Sequence, residues 1–279
     1  MFKFLRNKIG IIGYGNMGSA IGERLKTKYQ IYTFDKDKNK TKKLSGIYVT
    51  DNILDLLRKV ETVILAVKPQ DFDSILNEIK NNIEGKLIIS IAAGIPTSYL
   101  EKILGEVRVV RVMPNLPARV GKGMSCLCKG RFASEEDLDL AEEVFKRVGE
   151  TLLINENMMD AATAVSGSGP GFFCDLVEGE SPDEIKDFSE QYFIPSLNAS
   201  ARSIAFTPIQ AKILAEATGG GIVEYLISQH LTPSEVKKQV ASPGGTTEAG
   251  LEVLLHDIKN LEKAVKAAAK RAEELSKKE

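Results

Sequence analysis

Histidine and cysteine are scarce in this chain, with two and three residues in 279. His230 and His256 lie far from Cys126, Cys128 and Cys174, no CxxC pair occurs, and neither histidine stands near a nucleophile motif. A zinc site, a disulfide framework and a Ser-His or Cys-His hydrolase are therefore not indicated. An excess of one charge is lacking too. The net charge is −1, so nothing global points to nucleic acid or an anionic membrane as partner. No apolar run reaches the roughly 18 residues of a membrane span, and the opening seven residues are too short for a signal peptide's apolar core. The expectation is a cytoplasmic protein without a metal.

The charge that is present is unevenly placed: residues 1 to 50 hold eleven Lys/Arg against three Asp/Glu, which suits an anionic cofactor. In that region Lys8-Ile9-Gly10-Ile11-Ile12 reads as a strand, followed by Gly13-Tyr14-Gly15-Asn16-Met17-Gly18 and a helical pattern to about Lys26. The first glycine permits the tight turn, the second lets a pyrophosphate approach, and the third lets helix and strand pack. Gln30 to Phe34 reads as a second strand ending in Asp35, about 20 residues on, where a carboxylate accepts hydrogen bonds from the ribose hydroxyls of NAD. Lys36, Lys38 and Lys40 argue for the 2′-phosphate of NADP, but a solvated loop explains them as well. The balance leans to NADH.

Strand and helix go on alternating through Thr62 to Val67, Lys86 to Ile91, Val107 to Val112 and Met124 to Cys128, which predicts a mostly parallel sheet with helices on both faces. Lys68-Pro69, Ala92-Ala93-Gly94 and Met113-Pro114-Asn115 follow strands, at the ends where such sheets bind ligands, although ordinary turn chemistry also accounts for them. Ser134-Glu135-Glu136-Asp137 is a capping box opening a helix. After Thr151 to Ile154 the alternation stops. The fold class expected is α/β, with a Rossmann dinucleotide-binding domain over 1–155 and an all-α domain over 156–279.

In the second half, Ser166-Gly167-Ser168-Gly169-Pro170 could by itself be a helix break. Residues 208–229 read as a helix interrupted by Gly219-Gly220-Gly221, costly at about 1 kcal/mol per glycine unless close packing requires them. The densest signal is Val240-Ala241-Ser242-Pro243-Gly244-Gly245-Thr246-Thr247. Its glycines expose successive N–H groups just before a helix, an arrangement that binds carboxylates or phosphates, and Ser242, Thr246 and Thr247 add uncharged donors. A plain turn with an N-cap is the bland alternative.

These segments together resemble the pyrroline-5-carboxylate reductases. The likeness rests on Gly13 to Gly18 with Asn16-Met17 inside it, Ala66-Val67-Lys68-Pro69-Gln70, Ser90 to Gly94, Arg111 to Ala118, Ser166 to Pro170, and Ser242 to Thr247 followed by Glu248-Ala249-Gly250. It implies hydride transfer from NADH or NADPH to a C=N bond, giving proline, by a homodimer or ring of dimers joined through the helical domain. It further implies that Gly13–Gly18, Asp35, Lys36, Asn52, Ala66, Val67, Lys68, Pro69 and Asn115 serve the coenzyme. Ser242, Gly244, Gly245 and Thr246 would hold the substrate carboxylate, with Thr247 beside the ring nitrogen. The chain departs from the family between Glu178 and Phe206, where Pro182 and Pro195 interrupt the usual helix pair, and at Gly219 and Gly220. Two other readings are a related imine or β-hydroxyacid-type reductase and a non-catalytic NAD(P)-binding regulator. The first normally needs a Lys or Asp that Ser166 to Pro170 does not offer, and the second has no need of a carboxylate loop.

Overall fold

The computed structural model describes residues 7–277. Among these, eight strands form one sheet in the order β3-β2-β1-β4-β5-β6-β7-β8. The strands are β1 (Lys8–Ile12), β2 (Gln30–Phe34), β3 (Ile47–Val49), β4 (Thr62–Leu65), β5 (Leu87–Ser90), β6 (Arg108–Pro114), β7 (Gly123–Lys129) and β8 (Gly149–Leu153). Pairing from β3 through β6 is parallel. The bonds from Asn115 N–H to the Met124 carbonyl and from Gly130 N–H to the Val109 carbonyl make β7 antiparallel to β6. β4 and β5 are buried along their whole length, as expected of strands covered on both faces. The short edge strand β3, not foreseen from the sequence, instead exposes Tyr48, which stacks on Tyr32 at 5.0 Å between ring centroids.

The chain groups into two compact units that are not contiguous in sequence. One comprises residues up to Val112 with Leu127–Arg147, the other Met113–Cys126 with the chain from Val148 onward. The first carries α1 (Asn16–Leu25), α2 (Ile53–Lys59), α3 (Phe72–Ile79), α4 (Thr97–Leu104) and α5 (Glu135–Phe145). Its core joins Leu56, Leu57, Val63, Leu65, Phe72, Leu76 and Ile88, so α2 and α3 seal one face of β1, β4 and β5. The Ser134 capping box is present: its hydroxyl takes the Asp137 N–H and the Asp137 carboxylate takes the Ser134 N–H. No helix among the described residues is long and apolar enough to cross a membrane.

The second unit contains α6 (Met159–Ala162), α7 (Gly169–Leu176), α8 (Pro182–Phe188), α9 (Ile194–Ile204), α10 (Pro208–Gln229), α11 (Pro233–Val240), α12 (Thr246–Leu254) and α13 (Leu261–Ser276). A π-helical turn over Thr163–Gly167 links α6 to α7, so Ser166 to Pro170 is a register shift rather than a break. The segment from Pro182 to Ile204 is likewise helical throughout. A capping box of Ser181 and Glu184 restarts it, and a second π turn, Ser189–Phe193, brings Pro195 into the first turn of α9, where a missing N–H costs nothing.

α10 explains two of its three glycines by contact. A Cβ at Gly219 would lie 2.4 Å from Ile194 Cγ1, and one at Gly221 would lie 2.2 Å from the Lys122 carbonyl oxygen. The latter approach seats α10 on the turn before β7, which is why residues 113–126 group with the helices. Gly220 meets nothing within 4 Å.

Candidate active site

A cavity of about 1000 Å³ opens in the first unit at the carboxyl ends of β1, β2 and β4, where the strand order reverses. Each glycine of the loop has a distinct reason to be there. Gly13 has φ +94°, and a Cβ on it would stand 2.6 Å from the Ala66 carbonyl oxygen. A Cβ on Gly18 would stand 2.1 Å from the Gly13 carbonyl oxygen, whereas Gly15 faces open space. The pattern fits a nucleotide: two glycines let helix and strands close up, and the third leaves room for a phosphate at the uncapped start of α1.

Gly13, Gly15, Asn16 and Met17 line the cavity on the loop side, Asp35 and Lys36 on the β2 side, and Ala66, Val67, Lys68 and Pro69 on the β4 side. Four expected residues do not line it. The Tyr14 side chain turns inward, where burial and then the nearby Glu23 push its phenol pKa upward. Gly18 lies under the loop. Asn52 caps α2 by accepting the Asp55 N–H at 2.8 Å. Asn115 belongs to the other unit, where its carboxamide accepts from Met124 N–H at 2.7 Å and donates to the Ser166 carbonyl at 3.1 Å. Sequence alone could not show that this buried amide ties β6 to the π turn.

Asp35 is buried and holds the loop. It accepts the Tyr14 N–H at 2.7 Å and the Asp37 N–H at 2.8 Å, and Lys40 Nζ lies 3.4 Å from both of its oxygens. Lys36 pairs with Asp71 at 2.6 Å. Asp35 and Lys40 are thus already paired with one another, and Lys36 with a neighbouring carboxylate.

The second site lies wholly within the second unit, where α7 and the start of α12 meet. Gly171 allows the approach, since a Cβ there would stand 2.5 Å from Thr247 Cγ2. Thr247 Oγ1 donates to Ser168 Oγ at 3.2 Å, and Ser168 Oγ lies 3.0 Å from Thr246 Oγ1. The N-cap of α12 is Gly245, with no side-chain cap, so Thr247 does not cap this helix. The N–H groups of Thr246, Thr247 and Glu248 have no acceptor among the described residues, which leaves three donors at a helix start.

The other two loop amides are occupied. Gly245 N–H meets the Ser242 carbonyl at 2.9 Å, and Gly244 N–H meets the Glu248 carboxylate at 2.7 Å. Arg271 Nε, from α13, donates to the Gly244 carbonyl at 2.8 Å. Ser242 is exposed beside Gly245, where an added Cβ would meet its Oγ at 2.4 Å. Ser168, Glu248 and Arg271 received no role from the sequence; Ser168 and Glu248 stood in motifs that could have suggested one, and Arg271 did not.

Behind this loop, buried Asp175 at the end of α7 binds Lys237 at 3.0 Å and His256 at 3.1 Å. Lys237 also reaches Glu178 at 2.7 Å. The helices on both sides of the loop are therefore tied to α7. Among the described residues no group of three or more His, Cys, Asp or Glu side chains could hold a metal ion.

Comparison with known proteins agrees with this division. The family model described as NADP oxidoreductase coenzyme F420-dependent matches residues 8–94, and that described as pyrroline-5-carboxylate reductase dimerisation matches residues 191–275. The chain is 37% identical over 257 residues to the pyrroline-5-carboxylate reductase of Methanosarcina acetivorans, covering 88% of this chain and 89% of that protein. It is 31% identical to the enzyme of the same name from Synechocystis, covering 97% and 99%. Among solved structures, Plasmodium falciparum pyrroline carboxylate reductase with NADP bound matches with a TM-score of 0.62 at 28% identity, covering 98% of this chain and 99% of that one.

Proposed function

The chain belongs to the pyrroline-5-carboxylate reductase family, and we infer from this that it catalyses hydride transfer from NAD(P)H to the C=N bond of 1-pyrroline-5-carboxylate, giving L-proline. The observation that carries the reading is the open helix start at Thr246 with a buried hydroxyl, Thr247, beside it. It offers donors to one carboxylate and a single uncharged hydrogen-bonding group to a ring nitrogen.

Residues 1–155 are the coenzyme domain and 156–279 the substrate and dimerisation domain in this reading. The reduced nicotinamide coenzyme supplies the hydride. Gly15 and the uncapped N-terminus of α1 receive its pyrophosphate, and Asp35 accepts from the adenosine ribose. Because Asp35 is an acid, NADH should serve at least as well as NADPH. Ser242, Gly244, Gly245 and Thr246 hold the substrate carboxylate. The Thr246 N–H is open to it, whereas the Gly244 N–H must first release Glu248 and the Gly245 N–H the Ser242 carbonyl. Thr247 donates to the imine nitrogen, an interaction that strengthens as charge develops there. The rest of the rate enhancement is positioning, which needs neither a strong acid nor a histidine.

Exposed Tyr192, Ile209 and Ile227 on the helical unit, together with the match to a dimerisation family, support a homodimer or a ring of dimers. Three buried cysteines without a disulfide suit the cytoplasm. The test is NADH and NADPH oxidation with pyrroline-5-carboxylate and with its six-membered homologue. Turnover of the five-membered ring supports the assignment. Turnover of the homologue alone identifies a different imine reductase, and tight coenzyme binding without turnover of either identifies a regulator.

A further inference from the structure

We propose that Ser168 is the centre of a three-hydroxyl proton relay, running from Thr246 through Ser168 to Thr247, that resupplies the proton given to the substrate nitrogen. The proposal rests on the reading above, in which Thr247 stands beside that nitrogen. Ser168 and the Thr246 hydroxyl have positioning roles here, since both act through Thr247, while the Thr246 N–H keeps its place at the substrate carboxylate.

The first observation is what Ser168 does not do. Hydroxyls on helices commonly bond back to the carbonyl four residues earlier, as Thr163 Oγ1 does to Met159 at 2.9 Å and Ser166 Oγ does to Ala162 at 2.9 Å. Ser168 comes just after the π turn, and its fully buried hydroxyl instead bridges both threonines of α12. The second observation is a gradient of access. Thr247 and Ser168 are buried, whereas Thr246 is only half-buried. The chain of hydroxyls therefore runs from solvent inward.

A buried threonine that gives up its proton becomes an alkoxide, a high-energy species unless another donor resupplies it in the same event. Each hydroxyl has one proton to give and lone pairs to accept another. As hydride forms the new C–H bond, the C=N π pair moves to nitrogen and takes the Thr247 proton. Thr247 takes the Ser168 proton, Ser168 takes that of Thr246, and Thr246 takes one from solvent. One proton enters and one reaches the nitrogen, which balances the reduction of an unprotonated imine by NADH or NADPH. The Ser168–Thr246 contact permits either atom to donate, and the Thr247–Ser168 bond, in which Thr247 now donates, reverses when Thr247 turns its proton to the nitrogen, so the relay is set by rotating hydroxyls without moving the backbone. Glu248, the nearest acid on the loop, is engaged by Gly244 N–H.

The experiment measures hydride transfer in single turnovers, with proton inventories in H2O/D2O mixtures, for the full-length protein and for Ser168→Ala, Thr246→Val, Thr246→Ser and Thr247→Ala. The relay predicts a bowed inventory in the wild type. It predicts a loss of roughly 10- to 100-fold in Ser168→Ala and Thr246→Val with KM within about twofold, and retention of most activity in Thr246→Ser. Thr246→Val removes only a half-buried hydroxyl, so it answers the question even if Ser168→Ala fails to fold. Full rates in both variants beside a slow Thr247→Ala protein would overturn the relay and leave Thr247 as the donor. Full rates in Thr247→Ala as well would overturn the relay together with the role given to Thr247, and no turnover in the wild type would remove the reductase reading itself.

Discussion

Lys40 is the cleanest lever on coenzyme choice, because Asp35 cannot be changed without disturbing the loop it holds. Replacing Asp35 would strip the acceptor from the buried Tyr14 N–H, at about 1–3 kcal/mol, and from the part-buried Asp37 N–H, which water can reach more cheaply. Lys40→Gln leaves those bonds in place. The ammonium sits 3.4 Å from both Asp35 oxygens, longer than the roughly 2.7–2.9 Å of a tight charge-assisted bond, and its side chain is 43% exposed. Such a pair contributes at most about 1 kcal/mol, so Lys40 can leave Asp35 at little cost. A 2′-phosphate with about −1.5 to −2 charges is a stronger partner. A hydrogen bond to a charged group contributes about 1.5–3 kcal/mol, from which the lost Asp35 contact is subtracted. With the full 1 kcal/mol subtracted the net is about 0.5–2 kcal/mol, or roughly 2- to 30-fold. Lys40→Gln should therefore lower kcat/KM for NADPH by that factor while changing NADH less than about twofold, and the difference should shrink at high salt. Lys36→Gln, whose ammonium is held by Asp71, is the control and should do less. Equal losses with both coenzymes, or none with NADPH, would refute the reasoning, and a tenfold wild-type preference for NADPH would show that the lysines outweigh Asp35.

Gly171→Ala places a methyl 2.5 Å from where Thr247 Cγ2 now sits, and displacing that hydroxyl should lower kcat by at least tenfold while coenzyme affinity, measured by fluorescence titration, stays unchanged. Gly220→Ala adds a methyl to open space in the middle of α10, so thermal unfolding should report a gain of about 1 kcal/mol; a loss, with dissociation seen by light scattering, would show that a second subunit covers this face. The Lys237 hydrogen bond, and then its charge, hold the Glu178 carboxyl below its usual pKa. That contribution to stability is present above the unfolded-state value and disappears as pH falls through the folded one. The Tm difference between wild type and Glu178→Gln should accordingly be constant near neutrality and vanish in acid, and a difference that persists there would remove the ion pair as its cause.

The nucleotide half was legible in the sequence because its signals are local. Strand, glycine turn and helix follow one another from Lys8 to Lys26, and the acid that closes the fingerprint ends the next strand, so nearest-neighbour sterics and hydrogen bonding decide the arrangement. The capping box at Ser134 was readable for the same reason. Short β3 and α2 escaped notice because three and seven residues carry too little periodicity to read. Pro195 looked like a break because sequence does not show that a π turn ahead of it puts the ring in a first helical turn.

Gly219 and Gly221 could be recognised as costly, but only the fold shows that Ile194 and the Lys122 carbonyl require them and that nothing requires Gly220. The sequence by itself determined the fold class and which loops have the chemistry to bind a coenzyme and a carboxylate. Only the tertiary structure decided that Asn115 braces the π turn, that Lys40 lies against Asp35 and that Ser168 joins Thr246 to Thr247 across 78 positions of chain. Contacts at that sequence separation depend on how helices pack, and helix packing is set by the whole buried surface rather than by any local pattern.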